Sequence, residues 1–379
     1  AHSVYSARDL EAVLFATSIC FDLSVYELFV TLAIGGKVIV AENVLALPHI
    51  PARNEVRLVN TVPSAIAALQ RAHQIPDGVR IINLAGEALP ASLVDALYSS
   101  TKVDRVYDLY GPSEDTTYST YTLRLPNKPA TIGRPIANTK GYVLNPHGQW
   151  VPPGIAGELY LAGTGVTQGY LNKPEMTAEK FLSNPFSSDV LYARMYRTGD
   201  LVRHMGNGNL EYLGRIDHQV KVRGFRIELG EIQAVISSVA GVREALVMTR
   251  EERAGDKVLV AYVATQRERD ALVPDIRARI RERLPEYMMP SAFVLIASFP
   301  LTPNGKIDRS ALPAPALDEL HAGEYVAPRN DSEARMARIW ATLLGLEKVG
   351  VKSNFFELGG HSLLATQCVA RIRDEFGVE

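Results

Sequence analysis

Three textures of apolar and polar positions succeed one another along this chain. Over residues 1–110, helical spacing alternates with short unbroken apolar runs. Val25, Leu28, Phe29 and Leu32 share one helical face, and Ser24 with Glu27 has the spacing of a capping box. Gly35-Gly36 closes that helix, and residues 37–41 (KVIVA) read as a buried strand. Runs at 56–60, 80–84 and 105–109 predict further strands, with helices after Ser64 and Pro90 between them. Strands alternating with helices predict a parallel sheet covered on both faces. Ligands of such sheets sit beyond the carboxyl ends of the strands, where Asn60, Ala85, Gly86, Leu109 and Tyr110 fall.

From about Thr131 to Arg215 the pattern is that of strands. Residues 157–162 (GELYLA) alternate at period two, and Asn207-Gly208 predicts a hairpin between 201–205 and 210–213. Beyond Asp217 a short strand at 220–222 precedes a helix with Ile232, Val235, Ile236 and Val239 on one face. Strands at 242–248 and 257–264, an Arg-rich helix near 275–284 and a strand at 293–296 complete an α+β unit of about a hundred residues. Residues 311–330, with Pro313, Pro315 and Pro328, read as a linker. Two helical stripes follow, Met336, Ile339, Trp340 and Leu343, then Ala365, Val369, Ile372 and Phe376.

Composition narrows the function classes. A chain of 379 residues predicts two or three domains. Its 40 Lys+Arg against 42 Asp+Glu exclude a generally basic nucleic-acid binder. Acids interleaved with the arginines from Arg277 to Arg283 make that run a solvated helix face. Apolar and charged fractions of 47% and 22% fit a globular chain rather than disorder, collagen or coiled coil. No apolar run reaches the roughly 18 residues of a membrane span. Cys20 and Cys368 are too few for a disulfide framework, which points to a reducing cytoplasm. The chain opens at Ala1 without a basic-then-apolar leader, and reads as a piece of a longer protein.

Several short motifs carry possible chemistry. In 358–363 (LGGHSL), Ser362 follows two glycines at a helix start, a place that suits either an attached phosphate or an ordinary serine cap. In 110–114 (YGPSE), beyond a predicted strand, Tyr110 can stack on a base, Ser113 can donate to a phosphate oxygen and Glu114 can hold a hard cation. The same pentapeptide also suits a plain turn. In 196–201 (YRTGDL), Asp200 can accept two ribose hydroxyl bonds or close a turn. Residues 214–231 (GRIDHQVKVRGFRIELGE) place seven charges across a domain boundary. In 304–309 (NGKIDR), Lys306 sits on a glycine turn, either solvated or catalytic.

The order of these motifs is more specific than any one of them. FDLS at 21–24, AGEAL at 85–89, YGPSE, GELYLAGTG, YRTGDL, the charged boundary segment, LPEYMMP at 284–290 and NGKIDR closely resemble the adenylation domain of non-ribosomal peptide synthetases. NFFELGGHSLL at 354–364 resembles the phosphopantetheine attachment site of a peptidyl carrier protein. The resemblance implies an adenylate-forming α/β fold, with a parallel α/β sheet plus a β-rich segment. A small α+β C-terminal subdomain and a partial helical carrier domain complete it. The implied boundaries are 1–216, 217–312, a linker at 313–328, and 329–379. The family's upstream Ser/Thr/Gly-rich loop, which ends in Lys and cradles the ATP β,γ-phosphates, is not in this sequence, so the complete reaction is expected of the parent protein.

By resemblance, an amino-acid carboxylate attacks the ATP α-phosphate, releasing pyrophosphate, and a phosphopantetheine thiol on Ser362 then takes the aminoacyl group. Lys306 meets the charge on the α-phosphate, Ser113 the α-phosphate and Glu114 a Mg²⁺ ion. Asp200 and Tyr212 hold the ribose and Tyr110 the adenine face. Gly86 and Asp108 belong to the nucleotide site, Asp108 standing where Asn is also common. Arg215 and Lys221 support the nucleotide, and Asp217 is the hinge between the two steps. Asp22 meets the substrate ammonium. Leu23, Tyr26, Asn60, Asn83, Ala85, Leu109, Thr117 and Tyr118 line an uncharged pocket that the two tyrosines fill. That series implies a small neutral amino acid, alanine first, then glycine, then cysteine. Expected partners are a phosphopantetheinyl transferase and condensation or other synthetase domains, with neither nucleic acid nor membrane. An acyl-CoA ligase of the same fold shares the YRTGD and lysine signals. Asp22 and the carrier serine argue against it, since a fatty acid carries no ammonium and free CoA needs no carrier. A non-catalytic docking scaffold is the remaining alternative.

Overall fold

The computed structural model describes residues 3–216, 220–222, 225–253, 256–301, 307–315, 326–344, 346–355, 358, 360 and 362–377. The chain divides into two compact units, Ala1–Asp217 and His218–Glu379.

The first unit holds a seven-stranded sheet in the order β2-β1-β3-β4-β5-β6-β7. Its strands are β1 (Ala12–Phe15), β2 (Lys37–Val40), β3 (Leu58–Thr61), β4 (Ile81–Leu84), β5 (Arg105–Tyr110), β6 (Thr120–Arg124) and β7 (Arg134–Pro135). The first five run parallel, and β6 and β7 add antiparallel at one edge. Helices Pro63–Arg71 and Ala91–Ser100 fall between strands as the pattern predicts. β1 was not anticipated: four apolar residues show no period that separates strand from helix. Register across β3, β4 and β5 sets Asn60 beside Asn83 and Asn83 beside Tyr107.

Residues 23–33 form the expected helix, with a π turn at Tyr26–Val30, but its buried face is a different one. Val25, Phe29 and Leu32 are exposed, whereas Leu23, Ser24, Glu27 and Thr31 are buried. There is no capping box. Ser24 Oγ donates to Phe21 O at 2.7 Å, and the Glu27 carboxylate accepts from the Ala16 and Thr17 amides at 3.3 and 3.2 Å. Glu27 thus pins the segment after β1, and satisfying those amides outweighs the apolar pattern.

The β-rich segment forms a second sheet, β10-β11-β9-β8, with β12 paired to β11. It comprises β8 (Thr139–Leu144), β9 (Ala156–Gly163), β10 (Phe181–Ser183), β11 (Arg194–His204) and β12 (Leu210–Arg215). The Asn207-Gly208 hairpin forms as read. β11 is much longer than predicted because its first half pairs with both β9 and β10.

The second unit pairs β13 (Val220–Val222) with β14 (Phe225–Ile227), and carries a three-stranded sheet of β15 (Val242–Arg253), β16 (Asp256–Thr265) and β17 (Ala292–Ile296). Helices Leu229–Ser237 and Arg269–Arg283 bury Ile232, Ile236, Leu272, Ile276 and Ile280 in one core with Phe293. Arg277 departs from the solvated-face expectation: it is buried, with its guanidinium 5.3 Å from the Phe293 ring. The start of the Pro-rich stretch is held in place, since Arg250 donates to Leu312 O at 2.9 Å and Tyr262 to Pro313 O at 2.8 Å. Helices Asp331–Leu344 and Ser362–Phe376 enclose Ile339, Leu343, Phe355 and Cys368. Val369, placed in the second stripe by its spacing, is exposed. No helix among the described residues is long and apolar enough to cross a membrane.

Candidate functional site

The end of β5 and the middle of β11 converge on one carboxylate. Register between β11 and β9 shifts between Arg197 and Leu201, which releases Thr198, Gly199 and Asp200 from pairing with β9. Asp200 is buried, directly opposite Arg215 on β12. Its Oδ1 accepts from Arg215 Nη1 at 3.1 Å and from the Tyr212 hydroxyl at 3.3 Å, and its Oδ2 accepts from the Tyr110 hydroxyl. The rings of Tyr110 and Tyr212 lie 6.3 Å apart at 42°. Burial, and then the Asp200 charge, push the Tyr110 hydroxyl well above its ordinary range, so it stays a donor. Four residues, three of them from separate motifs, thus form one hydrogen-bonded group. A carboxylate has about four acceptor positions, so one that already holds three donors retains little capacity for a further pair.

Beyond Tyr110 the chain turns sharply. Gly111 permits this, because a Cβ there would lie 2.5 Å from Thr117 O and 2.8 Å from Ser119 N. Ser113 is exposed, and Glu114 is buried with Oε1 accepting from Tyr170 at 2.7 Å. Thr116 and Thr117 both take left-handed backbone conformations, φ 55° and 68°. Two β-branched residues in that region store strain, a feature that concentrates at functional sites. Thr116 Oγ1 donates to Gly165 O at 2.7 Å and Thr117 Oγ1 to Asp22 O at 3.2 Å, which holds the strained pair.

The residues predicted to line a substrate pocket also gather. Leu23, Leu109 and Tyr118 are buried in one cluster, with Tyr26 and Ala85 packed against it. Tyr26 and Tyr118 meet edge to face at 5.4 Å. Asn83 donates to Asn60 Oδ1 at 2.8 Å, and both amides are buried. Asp22 is half-buried at the start of helix 23–33. A cavity of about 590 Å³ is lined by Tyr26, Leu109, Thr117 and Tyr118 among others. Two participants carried no motif signal: Tyr5, whose hydroxyl donates to Asn83 Oδ1 at 2.9 Å, and Tyr170, the partner of Glu114.

Asp108 lies on the same face of β5 as Tyr110, with its carboxylate held by Arg124 at 2.7 Å. Burial raises it to about 6 despite that cation. Gly86 takes a left-handed turn just after β4. Lys221 is on β13, and Asp217 and Lys306 lie outside the described residues. Ser362 is the first residue of its helix. Gly360 approaches Phe355 so closely that a Cβ would lie 2.3 Å from its ring and carbonyl oxygen.

Comparison with known proteins bears on the family and the fold. Residues 2–171 match the AMP-binding enzyme family, 231–306 the AMP-binding enzyme C-terminal domain, and 334–379 the phosphopantetheine attachment site. One of the linear gramicidin synthase subunits of Brevibacillus parabrevis is 55% identical over 100% of this chain. The chain belongs to the non-ribosomal peptide synthetases. The AMB antimetabolite synthetase AmbB of Pseudomonas aeruginosa is 45% identical over 97% of the chain. Among solved structures, holo-PA1221, a synthetase protein containing adenylation and PCP domains bound to a vinylsulfonamide inhibitor, covers 98% of the chain at 28% identity with a TM-score of 0.79. A four-domain synthetase, holo-AB3403 bound to AMP and glycine, covers 97% at 35% identity with a TM-score of 0.50. This synthetase chain spans 7% of the gramicidin synthase polypeptide, 29% of AmbB and 62% of the PA1221 chain. Its fold is that of adenylate-forming enzymes, its family is one of adenylating ligases, and the matched regions are those that use ATP or AMP and 4′-phosphopantetheine.

Proposed function

We propose that the chain works within a larger synthetase to activate a small neutral amino acid as its adenylate, for delivery to the carrier region that follows. The observation that carries this is the convergence of Tyr110, Tyr212 and Arg215 on Asp200, beside the strained turn that bears Ser113 and Glu114. On this reading Tyr110 and Asp108 face the adenine, Gly86 gives the base room, and Asp200 and Tyr212 hold the ribose. Arg215 and Lys221 support the nucleotide. Asp200 is then oriented in advance, and the ribose competes for acceptor positions with Tyr212 and Arg215.

Ser113 donates to the α-phosphate and Lys306 takes the charge that grows there during attack. Glu114 suits Mg²⁺, which binds through one or two carboxylates together with substrate phosphates. Asp217 is assigned the hinge, within proposed boundaries at 1–216, 217–312 and 329–379. Ser362 at a helix start, with Gly360 closing on Phe355, suits attachment of the phosphopantetheine arm. When bound, that arm supplies the thiol that accepts the aminoacyl group. Its loading calls for a phosphopantetheinyl transferase, and its use calls for condensation or other synthetase domains.

Alanine fits best, with glycine next and cysteine after it. The edge-to-face Tyr26–Tyr118 pair fills volume, the lining is uncharged, and a charged side chain there would lie unpaired. Asp22 supplies the partner for the ammonium. The test is amino-acid-dependent ATP–pyrophosphate exchange by the parent synthetase across all proteinogenic amino acids. Preference for an aromatic, acidic or basic substrate would overturn the pocket reading, and exchange with none would overturn the function.

A further inference from the structure

Arg124 belongs to no motif, yet its guanidinium lies against the carboxylate assigned to the adenine. It ends β6 directly opposite Val106 on β5, so it shares a face with Asp108, two residues further on. Diagonal neighbours of that kind are within reach of long side chains. Arg124 Nη1 donates to Asp108 Oδ2 at 2.7 Å, and to Leu89 O, between β4 and helix 91–100, at 3.4 Å. The Tyr98 hydroxyl fixes the strand end behind it, donating to Arg124 O at 2.9 Å and accepting from Val106 N at 3.0 Å. Burial is uneven across the pair: the Arg124 side chain is 2% exposed and that of Asp108 11%. The cation is thus enclosed, and the carboxylate is the end that a ligand can meet. Arg124 Nε is buried without a partner, so Asp108 is the main compensation for the buried charge.

We infer that Arg124 is a positioning residue for choice of the nucleotide base: it holds Asp108 as an ionised acceptor, which admits a 6-amino purine and disfavours a 6-oxo one. This rests on the proposed function above, in which Asp108 faces the adenine. A carboxylate only accepts hydrogen bonds, so it pairs with the adenine amine and repels an oxygen at the same place. One donor from Arg124 leaves it acceptor capacity for that amine. A carboxylic acid, by contrast, carries a proton that it can donate to a 6-oxo group. Burial raises Asp108 to about 6, and Arg124 is what opposes that rise. Without the cation the carboxyl keeps its proton near neutral pH, and the discrimination weakens.

The experiment is Arg124→Met in the parent synthetase, which keeps an extended side chain and deletes its charge. Amino-acid-dependent pyrophosphate exchange is measured with ATP and with ITP, whose base has an oxygen in place of the 6-amine and a proton on N1. The expected result is a fall of about tenfold in the ATP-to-ITP ratio of kcat/KM, carried in the nucleotide KM, with the KM for the amino acid unchanged. Adding Asp108→Asn removes both charges, so no buried charge is left unpaired to impair folding. This double variant should show the same lowered ratio and no further loss, because a neutral amide presents either its oxygen or its NH₂. Tyr98→Phe, which loosens the same strand end and spares the ion pair, should leave the ratio unchanged. An unchanged ratio in Arg124→Met or in the double variant, a further loss in the double variant, or an equal shift in Tyr98→Phe overturns the inference while leaving the function standing. Equal use of ATP and ITP by the unsubstituted protein overturns the adenine assignment of Asp108 as well, and absence of exchange overturns the function.

Discussion

Glu27 offers the sharpest physical test of the fold, because its stability contribution changes with pH in a calculable direction. It is fully buried, and burial pushes its carboxyl from 4.5 up to about 7, with the Thr17 hydroxyl and the amides of Thr17 and Ala16 pulling the other way. Since folding raises this pKa, the folded chain holds the proton more tightly than the unfolded chain does. The contribution is therefore complete below the unfolded value and disappears as pH rises through the folded one. The window runs from 4.5 to about 7. At about 1.4 kcal/mol for each tenfold change in the proton equilibrium, the loss across it is about 3 kcal/mol. Glu27→Gln keeps the shape, places an amide oxygen on the same N–H groups and offers an NH₂ to the Thr17 hydroxyl. Urea unfolding, followed by Trp150 fluorescence in a Trp340→Phe background, reads the first unit. The stability difference, Gln minus Glu, should grow by about 3 kcal/mol between pH ~4.5 and ~8 and then level off. A difference that stays flat or falls would refute the buried, proton-binding Glu27 described above.

Other outcomes follow from the site. Arg215→Met removes the guanidinium paired with Asp200 and should raise the KM for ATP about tenfold with little change in the KM for the amino acid, as exchange kinetics will report. Equal rises in both would count against a nucleotide role. Ser362→Ala should abolish loading by a phosphopantetheinyl transferase and CoA, measured as the mass of the chain, and loading that persists would place the arm elsewhere. In the parent synthetase, Lys306→Ala should strongly impair adenylate formation. Asp217→Pro should instead spare exchange and block aminoacyl transfer to the carrier, and equal loss of both steps would remove the hinge assignment.

Periodicity and turn chemistry depend on near neighbours in sequence, and what depends on them was legible in advance. The alternation of strands with helices 63–71 and 91–100 placed Asn60, Ala85 and Tyr110 at the carboxyl ends of parallel strands. The Asn207-Gly208 pair specified its hairpin, because few other residues adopt that turn. The ordered motifs named the family, whose regions the comparisons found in the same order. Side-chain partnership is set by elements remote in sequence, and only the folded chain decided it. Tyr110 and Asp200 are separated by 90 residues, and Tyr5 and Asn83 by 78, so no local pattern announces either bond. Helix 23–33 shows the same division. Its apolar spacing was visible, but the face that turns inward was chosen by the bare amides of Ala16 and Thr17, which Glu27 had to reach. Burying a carboxylate is unfavourable by itself, yet leaving those backbone donors unsatisfied is worse, and that comparison exists only once β1 and the helix lie side by side.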